Sequence, residues 1–305
     1  MSDIKTDDAT KKAVVDYYDG SWFDYRVIWL DRGNLAKHFG YWEPGIKTHS
    51  QSLTNMNKQV AARVDPKPGE RVLDAGCGIG GSSMWLAKNY GVTTVGISLS
   101  VRELEKARRY STARGLQGQC SFEQQDFLAT TFPDESFDIV WAQESTCHTL
   151  EKKAFTTEMF RVLKPGGRLV IEDWFRPARP YHPEDEKLFK DWLRGWAIED
   201  IPTREEIVGD CQAAGFVDVR LDDITPYMLR SARRLYATTI ALYPGAVLLR
   251  ALRIRTEVLH ANMVSARLQW RAHNRNLWFA GILVAHKPEQ ASSPLVPQKA
   301  DQASA

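Results

Sequence analysis

Asp74 closes the apolar run Arg71-Val72-Leu73, and the residues after it, Ala75-Gly76-Cys77-Gly78-Ile79-Gly80-Gly81-Ser82-Ser83, are dense in glycine. A helical pattern then starts at Met84-Trp85-Leu86-Ala87. The order is strand, tight turn, helix. Glycine lets a ligand approach the backbone and permits positive φ, and the start of the helix presents unpaired N–H groups. Gly76-x-Gly78-x-x-Gly81 satisfies the dinucleotide fingerprint. A carboxylate facing that turn would repel a pyrophosphate, however, and suits a zwitterionic or cationic ligand. Two further groups could move a proton. Glu144 and His148 stand four residues apart, which puts them on one face if the segment is helical. Glu172-Asp173 ends a second apolar run, Leu169-Val170-Ile171.

The elements that must position these groups alternate regularly. Strands are predicted at 71–75, 92–97, 119–124, 137–141, 168–174 and 216–221, with a last strand at 277–285 closing the sheet. Helices lie between them: one from a cap at Ser98 or Ser100 to about Arg114, one from Ala154 to Leu163, and one from Glu205 to Ala214. Such βα alternation predicts an α/β fold, a Rossmann-like parallel sheet with helices on both faces. Ligands bind beyond the carboxyl ends of such strands. Residues 176–202 and 222–275 interrupt the rhythm on that side and are read as a helical, substrate-shaping cap. The second insertion carries nine arginines against three acids, Asp222, Asp223 and Glu257. A solvated helical face or a subunit contact explains them better than a phosphate clamp.

Upstream, Ala13 to Leu30 is aromatic at helical spacing, and Phe39-Gly40-Tyr41-Trp42 sits in a stretch that Gly and Pro break. Residues 1–65 are therefore read as an N-terminal lid, 66–287 as the main domain and 288–305 as a disordered tail. A net charge of +2 and 43% apolar residues argue for a globular protein with no general affinity for nucleic acid. Four dispersed cysteines without a C-x-x-C pair suggest neither zinc nor disulfides. With a polar start and no apolar run of spanning length, they point to a cytoplasmic protein without a membrane span.

Several of these stretches resemble one family. Val72-Leu73-Asp74-Ala75-Gly76-Cys77-Gly78 resembles motif I of class I S-adenosylmethionine (SAM) methyltransferases. Lys164-Pro165-Gly166-Gly167 resembles the turn before their fifth strand. Phe39-Gly40-Tyr41-Trp42 resembles the cofactor-covering segment of cyclopropane-fatty-acid synthases and tocopherol methyltransferases. Gln143-Glu144-Ser145-Thr146-Cys147-His148 is similar to a stretch of sterol C-methyltransferases, and the likeness covers about residues 38–175. It implies a class I methyltransferase sheet with SAM as cofactor. Asp74, Gly76, Cys77 and Gly78 would hold the methionine part. Ser98 and Leu99 would lie at the ribose, Asp126 and Phe127 at the adenine, Gln143 on the cofactor side, and Tyr41 in the cover. The family usually ends its second strand in an acid, where this chain has Ser98.

The sterol-like stretch implies methyl transfer to an alkene carbon of a hydrophobic terpenoid or prenyl-bearing natural product of secondary metabolism. That route makes a carbocation, which aromatic faces stabilise and a carboxylate finally deprotonates. Trp22, Trp29, Trp42, Trp174, Trp192 and Trp196 are the expected aromatic supply. Glu172 is the expected base, Glu144 the second choice and His148 the third. Mg²⁺ enters only if the substrate is a diphosphate, and no metal ligand set is otherwise expected. O- or N-methylation of a small natural product, with His148 as base, is the competing chemistry. A catalytically silent SAM-binding partner subunit is the non-enzymatic alternative. The aromatic N-terminal segment is also a candidate contact between two copies of the chain.

Overall fold

The computed structural model of the chain describes residues 8–29 and 33–289. The polar start at 1–7 and almost all of the expected tail lie outside the described residues. Seven strands form one sheet: β1 (Arg71–Ala75), β2 (Thr93–Ser98), β3 (Cys120–Gln124), β4 (Phe137–Gln143), β5 (Leu163–Phe175), β6 (Val217–Asp223) and β7 (Phe279–His286). Their order is β3-β2-β1-β4-β5-β7-β6. The first five run parallel, and β7 is antiparallel to both its neighbours. The last strand therefore does not close the sheet at its edge. It slots between β5 and β6, and β6 becomes the edge. Chain order does not encode that exchange of place.

The helices begin where the sequence offers caps. α2 (His49–Val64) and α7 (Arg204–Ala214) open with capping boxes, Thr48 with Gln51 and Thr203 with Glu206. α4 (Val101–Ala113) is capped by Ser100, not Ser98. α1 (Asp8–Asp24) runs on into a π-helical turn, Tyr25–Trp29. α3 (Gly81–Tyr90) follows the glycine turn, and α5 (Lys152–Val162) leads into β5. The two insertions form α6 (Pro183–Arg194) and a hairpin of α8 (Thr225–Ala251) and α9 (Glu257–His273). α6 and α8 both pack on α9.

Alternation along the strands sorts the core into two layers. Leu73, Val140, Leu169 and Ile171 pack on one face with Phe155, Met159 and Ile207. Val72, Trp141, Val170 and Trp174 pack on the other, with the cap residues Trp192, Met228 and Ala266. Asp74, Gln143 and Glu172 share the parity of this second layer. They form a polar row at the strand ends beneath the cap.

A buried ion pair fastens α1 to α9. The Arg255 guanidinium meets Asp24 at 3.0 and 2.7 Å, with the two side chains only 8% and 7% exposed. Asn262 also donates to Asp24 at 3.2 Å. Removing one member strands the other charge. Arg255→Ala is expected to cost about 3 kcal/mol in a urea melt, and the pair Asp24→Leu with Arg255→Met to recover much of it.

Candidate active site

A cavity of ≈ 380 Å³ opens at the carboxyl ends of β1 to β4, within the range of small-molecule sites. Asp74, Gly76, Cys77, Gly78, Ser98, Leu99, Asp126, Phe127 and Gln143 all line it. Nine of the ten residues expected at the cofactor thus come together. The tenth, Tyr41, is not on the wall. It is buried and stacks on Tyr227, with ring centroids 4.4 Å apart, while its N–H donates to the Ser52 carbonyl. Its segment is tied down at Phe39 instead, whose N–H donates to Glu144 Oε1 at 2.5 Å.

The glycines of the turn divide their work. Gly76 has φ +96°, and a Cβ there would lie 2.3 Å from the Cβ of Ser145. This glycine makes room for protein. Its N–H and that of Cys77 are both taken by the Ile97 carbonyl, at 3.0 and 2.9 Å. At Gly78 a Cβ would touch nothing closer than Lys37 at 3.8 Å and Glu103 at 3.9 Å, so this position borders open cavity. Asp74 is 2% exposed and accepts from the Ser83 hydroxyl at 2.5 Å. Burial pushes its carboxyl up to about 6, with Ser83 pulling the other way. A buried acid held this high is complementary to a ligand cation. With a ligand-sized opening at Gly78, these residues fit SAM.

Several wall residues carried no signal that the sequence motifs exposed. Glu103, in the first turn of α4, reaches back so that Ser98 donates to it at 3.4 Å. It thereby brings a carboxylate to a strand end where the sequence shows only Ser98. It is paired with Lys37, whose ammonium also lies 4.7 and 5.0 Å from the rings of Tyr18 and Tyr25. The signal for Glu103 was its helix position, since an N3 side chain points back toward the cap. α1 covers the mouth with Val14, Val15 and Tyr18, anchored by Lys11 to Asp126 at 2.6 Å and Thr10 to Glu199 at 2.6 Å.

A second, smaller cavity of ≈ 80 Å³ shares Tyr18, Tyr25, Lys37, Glu144 and His148 with the first. Trp29, Phe39, Trp174 and Trp196 line it from the far side, with Leu235, Met263 and Ala266 from the hairpin. Of the six tryptophans expected here, three arrive. Trp22 packs beneath Lys106, Trp42 lies under Arg230, and Trp192 is buried behind Trp174. Glu144 and His148 do reach one place, but not on one α-helix. Glu144 sits in the left-handed region at φ 46°, and Thr146–His148 is a single 3₁₀ turn. Asp173 holds that turn, accepting from the Thr146 hydroxyl at 2.7 Å and the Cys147 N–H at 2.9 Å. A non-glycine residue in this conformation is strained, a cost that clusters at functional sites.

Glu172 lines neither cavity. It is fully buried, and neither carboxyl oxygen makes a hydrogen bond of normal geometry. Burial, then Glu144 and Asp173 nearby, drive its carboxyl well above the usual range, the Gln143 amide offsetting this in part. It lies below the site, outside both cavities. The chain above explains why: Phe39 is bonded to Glu144 and packs edge-on against Trp174, closing over the strand end. His148 is buried with its pKa lowered by desolvation. Its Nδ1 lies 3.2 Å from the Ala197 carbonyl, which can only accept, so Nε2 is the bare nitrogen and takes the Tyr18 hydroxyl at 2.8 Å. Burial raises the Glu144 carboxyl well above the usual range, with the Phe39 N–H lowering it and Asp173 raising it. Among the described residues no three His, Cys, Asp or Glu side chains converge to hold a metal ion.

Two outcomes follow. Because the folded chain holds the Asp74 proton more tightly than the unfolded one, this group favours the fold at low pH and opposes it as pH rises through about 6. A cationic ligand needs the ionised form. SAM affinity measured by calorimetry should climb with pH up to about 6 and level off above, and Asp74→Asn should remove the slope. Gly78→Ala should weaken SAM binding by roughly tenfold or more, since its Cβ enters the cavity, at a backbone cost of about 1–2 kcal/mol because its φ is +52°. Gly76→Ala carries the same kind of backbone cost and also collides with Ser145, which should lower stability by a further ~1–3 kcal/mol.

Known proteins agree with this geometry. A family model described as a methyltransferase domain matches residues 73–171. The methyltransferase GfsG of Streptomyces halstedii is 38% identical over 168 residues, 54% of this chain and 59% of that one. The 24-methylenesterol C-methyltransferase 2 of Oryza sativa subsp. japonica is 31% identical over 242 residues, 78% and 63% of the two chains. This chain therefore spans about three fifths of the length of these curated relatives. The crystal structure of the [4+2]-cyclase SpnF superposes with a TM-score of 0.75 at 24% identity, covering 92% of this chain and 97% of that one, which shows the shared fold. Residues 73–171 thus match a methyltransferase domain, and the chain has the class I, SAM-dependent methyltransferase fold.

Proposed function

We propose that this chain is a SAM-dependent C-methyltransferase that acts on an alkene carbon of a neutral terpenoid or prenyl-bearing natural product. The observation that carries the reading is the second cavity, which adjoins the cofactor cavity and is walled by Tyr17, Tyr18, Tyr25, Trp29, Phe39, Trp174 and Trp196. SAM, when bound, supplies an electrophilic methyl group. An alkene that gains this methyl carries a tertiary cation, and the rings offer it negative faces without a nucleophile. The geometry for this already exists, since the Lys37 ammonium lies over Tyr18 and Tyr25. Lys37 is the single lysine or arginine lining this cavity, and it is already paired with Glu103. A diphosphate would meet no free lysine or arginine among these lining residues, which supports a neutral acceptor.

Within this reading Glu144, in place of Glu172, is the proton acceptor. It faces both cavities, and a cation beside it would lower its raised pKa and ionise it. The proton leaves a carbon next to the cation, and its bonding pair forms the new double bond. Cofactor contacts are assigned to Asp74, Cys77, Gly78, Ser98, Leu99, Asp126, Phe127 and Gln143, with Glu103 added at the ribose. One observation favours a second reading: neutral His148 accepts from Tyr18 at the junction of the cavities. Such a pair could deprotonate a hydroxyl or amine, giving O- or N-methylation.

Labelled SAM with a panel of neutral prenyl compounds, prenyl diphosphates with Mg²⁺, phenols and amines tests the proposal. A methylated alkene product from the neutral prenyl set is expected. Glu144→Gln should cut its kcat by on the order of 10²–10⁴, while His148→Asn should leave the product unchanged. Methylation of a phenol or amine that dies with His148→Asn would install the second reading. SAM binding without turnover on the whole panel would favour the silent partner.

A further inference from the structure

The α8–α9 hairpin changes character along its length. At its base, Leu235, Thr239, Met263 and Ala266 line the aromatic cavity. Pro244 lies inside α8, and beyond it Ala246 is buried while most of the apolar side chains face outward. Leu248, Leu252 and Ile254 are 60%, 60% and 67% exposed, and Val247 and Leu249 are exposed as well. The Ile254 and Arg255 N–H groups both donate to the Leu249 carbonyl, at 2.9 and 3.1 Å. The turn is thereby folded back on the helix end, gathering these side chains at one tip. A soluble monomer rarely exposes so contiguous an apolar cluster without a use for it.

Charge identifies what covers it. Residues 225–275 carry nine arginines, no lysine and one acid, Glu257, although the whole chain is only +2. Basic charge is thus segregated onto this hairpin while the rest of the chain is net acidic. Arg250 is held by Glu257 at 2.8 Å and Arg255 by Asp24. Arg253, between Leu252 and Ile254, is exposed and makes no ion pair among the described residues. A second copy of the chain docking tip to tip would set two such basic hairpins against each other. An anionic surface with an apolar interior matches both features at once.

We infer that the hairpin tip is a peripheral membrane-docking element. It inserts Leu248, Leu252 and Ile254 among the acyl chains at the headgroup boundary and holds Arg253 against anionic lipid. No helix among the described residues is long and apolar enough to cross a membrane, so the contact is with the surface. The same two helices form the wall of the acceptor cavity, which places the docking element on the structure that an apolar acceptor leaving the bilayer would meet.

Full-length protein would be floated with vesicles of pure phosphatidylcholine and with vesicles in which roughly one third is phosphatidylglycerol. Binding at least about tenfold stronger to the anionic vesicles, and weakened by salt, is expected. The combined Leu248→Ser, Leu252→Ser and Ile254→Ser variant should lose it, and Arg253→Glu should weaken it, with circular dichroism and SAM affinity unchanged in both. Absence of binding to either vesicle would overturn the proposal, as would equal binding to both. So would self-association of the wild type in sedimentation that the serine variant abolishes, because the tip would then be a contact between copies. The assay needs neither acceptor nor turnover, so its failure is distinct from failure of the methyl-transfer reading.

Discussion

Four carboxyl groups, Asp74, Glu144, Glu172 and Asp173, are held at the ends of three adjacent strands in the site. Asp74, Glu172 and Asp173 are almost wholly shielded from solvent. Buried carboxylates are costly unless donors surround them. Only Asp173 is surrounded, by the Thr146 hydroxyl and the Cys147 and Trp174 N–H groups. In the other three burial is the first cause of a raised pKa, to about 6 for Asp74 and well above the usual range for Glu144 and Glu172. A site of this kind has spare negative charge that a bound cation can call out. That constraint matches a chemistry in which positive charge begins on a sulfonium and passes to the acceptor.

Division of labour follows from which acid faces which space. Asp74 borders the cofactor cavity alone, Glu144 borders both cavities, and Glu172 borders neither. Glu172 is the extreme case, a carboxyl left without a full hydrogen bond. Asp173 shapes rather than reacts, since its hydrogen bonds set the short turn that carries His148. Removing it would disorder two functional groups at once, which is a different failure from removing a base.

Aromatic packing connects this electrostatic floor to the cap. Trp174 on β5 touches Phe39, Trp192, Trp196 and Trp278 at centroid distances of 5.4, 5.6, 5.1 and 6.2 Å. One side chain thus joins the N-terminal cover, the first insertion and the sheet. Aromatic contacts of this kind add to burial. With Leu235, Met263 and Ala266 from the hairpin, these parts of the chain wall the second cavity. The hairpin that completes its wall also carries the segregated basic charge, so the shape of the pocket and the outer surface are features of one element.

The strand–turn–helix at 71–90 and the βα rhythm were legible from residue type and spacing, and nine of the ten residues that the family resemblance put at the cofactor line one cavity. Those features are local: a strand end, a glycine turn and a capped helix lie within a few residues of one another, and parallel strands bring their carboxyl ends to one edge. Tertiary structure decided the rest. Glycine composition could not tell that Gly76 yields to Ser145 while Gly78 borders open cavity, because the neighbour is 69 residues away along the chain. Strand-end position favoured Glu172 over Glu144, and only the fold of the Phe39 segment over β5 separates a covered acid from a facing one. Glu103 replaces the missing strand-end acid from a neighbouring helix, and Tyr18 finds His148 across 130 residues. Contacts of that range depend on how layers pack, and no periodicity in the sequence records it.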